Sequence, residues 1–149
     1  MSDKLEIRKA NLKDIPSILR LYGTDGLNNK EILTVEEATQ IFNKCLKYPN
    51  YFIYVATIDE KVVGTFELLI MDNLAHHGSP SGIVEDVVVD INYRSIGIGK
   101  KMMEFAKEYC KQHGCYKLTL SSNLKREAAH RFYENLGFKK HEFSFLIEL

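Results

Sequence analysis

The chain has 149 residues, of which 45% are hydrophobic and 27% charged, with 20 Lys+Arg against 20 Asp+Glu. That length predicts one domain over residues 1–149, large enough to bury a core without a disulfide or metal staple. Zero net charge speaks against a nucleic-acid binder, and no apolar run approaches the length of a membrane span.

The first residues lead directly into an alternating segment, Leu5 to Arg8, which predicts a half-buried strand and no signal peptide. Asn11 or Asp14 is placed to cap the next helix, where Ile15, Ile18, Leu19 and Tyr22 recur at helical spacing and Gly23 closes the run. Thr24 to Leu33 reads as a loop. Thr34 and Glu37 then form a T-x-x-E capping box ahead of a second amphipathic helix through Val35, Ala38, Ile41, Phe42 and Cys45.

Tyr51 to Thr57 and Val62 to Met71 read as strands joined by a hairpin turn at Asp59-Glu60. Asn73 to Gly82 reads as a loop that carries His76 and His77. Ile83 to Val89 is mostly apolar with Glu85 and Asp86 inside it, the pattern of a strand buried on both faces. Ile98, Met102, Phe105, Ala106 and Tyr109 mark a third helix with Gly114 at its C′ position. Tyr116 to Leu120 predicts a strand, Lys125 to Leu136 a helix, and the alternation of Phe143, Phe145 and Ile147 a final strand. A strand, a helix and a strand in the C-terminal half predict a right-handed parallel crossover in a mixed α/β sheet.

Cys45, Cys110 and Cys115 are odd in number and lack a CxxC spacing, which predicts reduced thiols in a cytoplasmic protein. No His/Cys cluster has zinc spacing, so no metal site is expected. The sharpest chemical signal is Arg94-Ser95-Ile96-Gly97-Ile98-Gly99, between a strand and a helix. A helix start has unpaired backbone N–H groups and a positive dipole end, and glycines let an anion approach the main chain. The segment is neither a P-loop nor a dinucleotide fingerprint. A plain structural turn is the competing reading.

These residues resemble a family, the GCN5-related N-acetyltransferases. Arg94 to Gly99 matches the family's [QR]-x-x-G-x-[GA], and Phe132-Tyr133-Glu134-Asn135-Leu136-Gly137-Phe138 matches its aromatic pair followed by G-F. Glu85-Asp86-Val87-Val88-Val89 and Gly114 to Leu118 are similar to glucosamine-6-phosphate N-acetyltransferases. Ser122 to Arg126, Ala129 to Tyr133 and the pair His76-His77 are similar to aminoalkylphosphonate N-acetyltransferases.

The resemblance implies a mixed, mostly antiparallel sheet with splayed parallel strands flanked by helices. It also implies transfer of an acetyl group from acetyl-CoA to a primary amine. In that frame the CoA pyrophosphate sits on the backbone of Ser95, Ile96, Gly97, Ile98, Gly99 and Lys100, with Arg94 beside it. The pantetheine arm lies along Val87, Val88 and Val89. Tyr133 matches the family's general acid, and Glu85 takes the role of base.

Asp86, His76 and His77 are candidates for the acceptor, the two histidines alternatively for a metal; the plain reading of Glu85 and Asp86 is ion pairing, and of the two histidines solvent exposure. Asn123 is read either as a cap or as a cofactor contact, and Arg126 as facing either CoA phosphates or solvent. The implied partner is a small-molecule amine in a homodimer, with no nucleic acid or membrane. The alternatives are acetylation of a protein N-terminus or lysine, and a catalytically silent CoA-binding module.

Overall fold

The computed structural model describes residues 4–25 and 32–149. The backbone divides into two compact units, Met1–Thr119 and Leu120–Leu149. Much of the predicted loop Thr24–Leu33 lies outside the described residues.

The first unit opens with β1 (Leu5–Lys9) and a 3-10 turn at Leu12–Asp14. Asn11 and Asp14 form a reciprocal capping box there, so the cap sits on the turn that leads into helix α1 (Ile15–Asp25). That helix runs two residues past Gly23. Helix α2 (Val35–Cys45) starts at the expected Thr34–Glu37 capping box. Strands β2 (Tyr51–Ile58) and β3 (Lys61–Met71) follow, and Asp59 and Glu60 both have left-handed φ (48° and 68°), as a two-residue hairpin loop of type I′ requires.

Strand β4 (Ser81–Val89) starts two residues before the predicted run, and helix α3 (Ile98–Gln112) ends with Gly114 at φ 73°. Strand β5 (Lys117–Leu120) completes a sheet ordered β1-β2-β3-β4-β5. The first three pairings are antiparallel, and β4 with β5 is the one parallel pair among the described residues. The crossover through α3 supplies the length that parallel pairing needs.

Both faces of the sheet are covered. On one, the aromatic rings of Tyr54 and Phe66 stack at 5.2 Å and Phe105 of α3 meets Tyr54 edge-on at 5.0 Å, over the fully buried Met102 and Ala106. On the other, Ile18 and Leu21 of α1 pack with Val55, Val62 and Val88. Period-2 alternation in β2 and period-3.6 alternation in the helices build these two layers.

β4 departs from the expectation of a strand buried on both faces. Thr65 pairs with Val88 but Glu67 pairs with Glu85, so Asp86 and Val87 stand opposite Phe66 alone. This is a β-bulge, and Asp86 takes a left-handed φ of 50° in it. Glu85 and Asp86 are consequently exposed while Val84 and Val88 are buried.

The second unit contains helix α4 (Glu127–Asn135), two residues shorter at its start than predicted. The expected final strand is absent: Phe143, Phe145 and Ile147 alternate, but residues 139–149 form no strand and these three side chains are exposed. Alternation marks an amphipathic face, yet a strand exists only where its N–H and C=O groups find a neighbour.

Candidate active site

The loop between β4 and α3 is shaped by main chain. Asp90, buried after β4, accepts from the Asn92 N–H at 2.9 Å and from the Arg20 guanidinium of α1 at 2.9 Å. Burial acts to raise the Asp90 pKa, but the Asn92 N–H and Arg20 outweigh it and hold the carboxyl below its usual range. This anchor fixes where the chain leaves the sheet.

Arg94 donates from Nε to the Val89 carbonyl at 3.4 Å. Ser95 (φ 65°) and Gly97 (φ 90°) are both left-handed, and Gly97 is the N-cap of α3 with no side-chain cap of its own. Left-handed residues alternating with ordinary ones turn successive N–H groups toward one point, and here that turn runs into a helix start whose own N–H groups lack intrahelical partners. Ser95, Ile96, Gly97 and Lys100 are exposed, Gly99 is half-buried, and Ile98 is buried as the first core residue of α3.

Toward β5, the edge of β4 opens. Tyr116 N–H donates to the Pro80 carbonyl at 3.0 Å, which starts the parallel pairing, and β5 is only four residues long against nine in β4. The ladder therefore stops short of Val87, Val88 and Val89.

Three carboxyl groups gather at the bulge. Adjacent strand residues ordinarily point to opposite faces. The bulge breaks that rule: Asp86 reaches Glu67 by a hydrogen bond, and Glu85 faces Glu67 across the strand pair. Glu67, from the centre of β3, was not singled out by sequence, although it is the lone charged residue within the apolar run Val62–Ile70. Burial raises its pKa most; Tyr51, which donates a hydrogen bond to it, acts in the opposite direction, and the negative charges of Asp86 and Glu85 push it up further, to about 7. Glu85 is also raised, by burial first and then by Asp86.

His76 and His77 lie in a short turn, both with positive φ and both exposed. The His76 ring stacks on Tyr116 at 4.2 Å beside a cavity of about 280 Å³, whose lining also includes Asn73, Ser81, Lys117 and Thr119. His77 is not part of that lining. Among the described residues no cluster of three or more His, Cys, Asp or Glu is arranged to hold a metal ion.

In the second unit, Tyr133 on α4 is half-buried between Phe132 (5.1 Å) and Phe138 (5.7 Å). Asn123 accepts from the Lys125 N–H at 2.9 Å, which makes it the cap of the turn before α4 rather than of α4 itself, whose N-cap is the exposed Arg126.

The model of the Acetyltransferase (GNAT) family matches residues 15–138. The chain belongs to the GNAT family. It is 38% identical to glucosamine 6-phosphate N-acetyltransferase of Trypanosoma brucei brucei, over 97% of this chain and 96% of that protein. It is 32% identical to aminoalkylphosphonate N-acetyltransferase of Salmonella typhimurium, over 94% and 88%. A solved Trypanosoma brucei acetyltransferase superposes with a TM-score of 0.80 at 30% identity, covering 98% of this chain and all of that one. GNAT enzymes use acetyl-CoA as cosubstrate. Among the described residues no helix is long and apolar enough to cross a membrane.

Proposed function

We propose that the protein transfers the acetyl group of acetyl-CoA to the primary amine of a small molecule by direct attack. The observation that carries this reading is the loop in which Ser95 and Gly97 turn the amides of the α3 start outward, at the end of a strand whose bulge gathers carboxylates. The residues suit the cosubstrate: the converging N–H groups and the helix dipole match a diphosphate, and the open edge of Val87–Val89 offers main-chain groups to an amide-bearing arm. A backbone N–H on that edge polarises the thioester carbonyl.

An alkyl ammonium has a pKa near 10 and must lose a proton before its nitrogen can attack. Glu85, exposed and raised in pKa, removes it directly or through one water. The nitrogen lone pair forms the C–N bond, the C–S bond breaks, Tyr133 protonates the departing thiolate, and the second proton on nitrogen restores the Tyr133 phenol. A phenol keeps its proton at neutral pH, which suits it to that role.

The two relatives named above are described by acceptors that carry both an amine and a phosphoryl or phosphonate group. We assign this chain an acceptor of the same kind, a small amine bearing an anion. Lys117 at the cavity supplies the positive charge with the His76 ring beside it as a hydrogen-bonding group, and we assign Asp86 to the ammonium. The exposed Phe143, Phe145 and Ile147 supply the contact of a homodimer, and the three unpaired cysteines fit a reducing, cytoplasmic setting.

A screen of small amines, phosphorylated amines and peptides that follows free CoA tests the reading. Turnover is expected with an anionic small amine and to fall about 10²–10⁴-fold in Tyr133→Phe. Turnover confined to peptides, or CoA binding with no turnover on any amine, contradicts it.

A further inference from the structure

The acetyl transfer leaves a proton to be accounted for. An ammonium that becomes an amide gives up two protons, and the thiolate of CoA takes one. The other has to be held by the protein until it reaches water. Glu85 is a poor place to hold it, because it is exposed and must be ionised again for the next acceptor.

Glu67 is differently placed. It sits mid-strand on β3, half-buried, directly across from Glu85. The bulge brings the Asp86 carboxyl within hydrogen-bond reach of it. Two carboxyl groups that close cannot both be ionised without cost, and the cost falls on Glu67, the more buried of the two. The titratable groups that face Glu67 are Tyr22 from α1, Cys45 from the end of α2, Tyr51 from β2, and Glu85 and Asp86 from β4. Burial raises Tyr22, Tyr51 and Cys45 above their usual values, with the nearby negative charge adding to it, so these three stay protonated at neutral pH and none competes for the proton.

We propose that Glu67, hydrogen-bonded to Asp86 across the β4 bulge, is the proton reservoir of the reaction: it receives from Glu85 the proton taken off the acceptor nitrogen. Tyr51 tunes it by donating to the charged form. In the step, an N–H bond of the ammonium breaks, the electron pair stays on nitrogen, and the proton passes through Glu85 to come to rest on the Glu67 carboxyl. After acetyl transfer the pair releases it to solvent. Glu67 is thus a positioning residue for the proton and acts through Glu85 and Asp86. The elevation of Glu67 to about 7 matches this duty, since a group that must both take and return a proton works best near the ambient pH. The proposal rests on the acetyl-transfer reading.

Two measurements test it. The first titrates side-chain carboxyl groups of the ligand-free protein by carbon-13 NMR. One glutamate should titrate near 7, vanish in Glu67→Gln, shift down in Asp86→Asn and shift up in Tyr51→Phe. The second follows kcat against pH. The acid limb should move up in Tyr51→Phe, and Glu67→Gln should lose about tenfold to 10²-fold in kcat with an unchanged KM for acetyl-CoA. Glutamates that all titrate in the ordinary range, or an acid limb indifferent to Tyr51→Phe, overturn the reservoir even if Glu67→Gln fails to fold. A wild-type protein that releases no CoA with any amine sinks the acetyl-transfer reading instead, and leaves the titration to be read by itself.

Discussion

The loop at Ser95–Gly97 follows the end of β4 and the carboxyl cluster of Glu67, Glu85 and Asp86 gathers at its bulge, and on the proposed reading they work by opposite means. The loop offers main-chain amides, so its chemistry depends on backbone angles and hardly on side-chain identity. The cluster offers side chains drawn from different strands, so its chemistry depends on burial and on charge held close to charge. One should be insensitive to pH and intolerant of any residue that resists a positive φ. The other should tolerate backbone-neutral replacements in structure while losing its titration. A bulge of one residue lies between them: it sets Asp86 and Val87 opposite Phe66 alone, and the pairing with β3 resumes at Val88 and Val89, which lead into the loop.

The largest effect that separates the regions should come from Glu85→Gln. If Glu85 removes the ammonium proton, kcat should fall about 10²–10⁴-fold while acetyl-CoA affinity stays level. Equal loss of both would mean that the cluster also shapes the cofactor site. Gly97→Val should do the reverse. A β-branched residue at φ 90° carries about 1–3 kcal/mol of strain, so acetyl-CoA binding should weaken about tenfold to 100-fold, measurable by calorimetry at any pH.

Glu67→Gln reads the cluster through stability. A carboxyl whose folded pKa is raised destabilises the fold as pH climbs from its unfolded value, near 4.5, to about 7. The variant should therefore melt at a higher temperature than the wild type above pH 7, with the gap closing as pH falls from about 7 to 4.5. A constant gap across that window would remove the titration from the account. The smallest effect is expected from Ile96→Ala. The side chain is 64% exposed, so CoA affinity should change by less than about twofold if the main chain does the binding.

What the sequence makes legible follows the same division. The Thr34–Glu37 cap, the Asp59–Glu60 hairpin and the Arg94–Gly99 loop are each written in a few consecutive residues, and each is found as expected. Glu67 owes its character to partners on β2 and β4, and a pattern read along one strand does not carry those contacts; its only local mark is a single acid among apolar neighbours. The bulge is hidden for the same reason, since Asp86 and Val87 stand out only against the register of β3. Phe143, Phe145 and Ile147 show the converse case, an alternation that is plain in sequence with no strand beside it.

Calorimetry that compares CoA with pantetheine, which lacks the diphosphate, tests the loop most directly. If the amides of Ser95 to Lys100 hold that group, CoA should bind and pantetheine should bind at least about 100-fold more weakly, because two or more charge-assisted hydrogen bonds are lost. Equal affinity for the two compounds, or no heat with CoA at all, would contradict it.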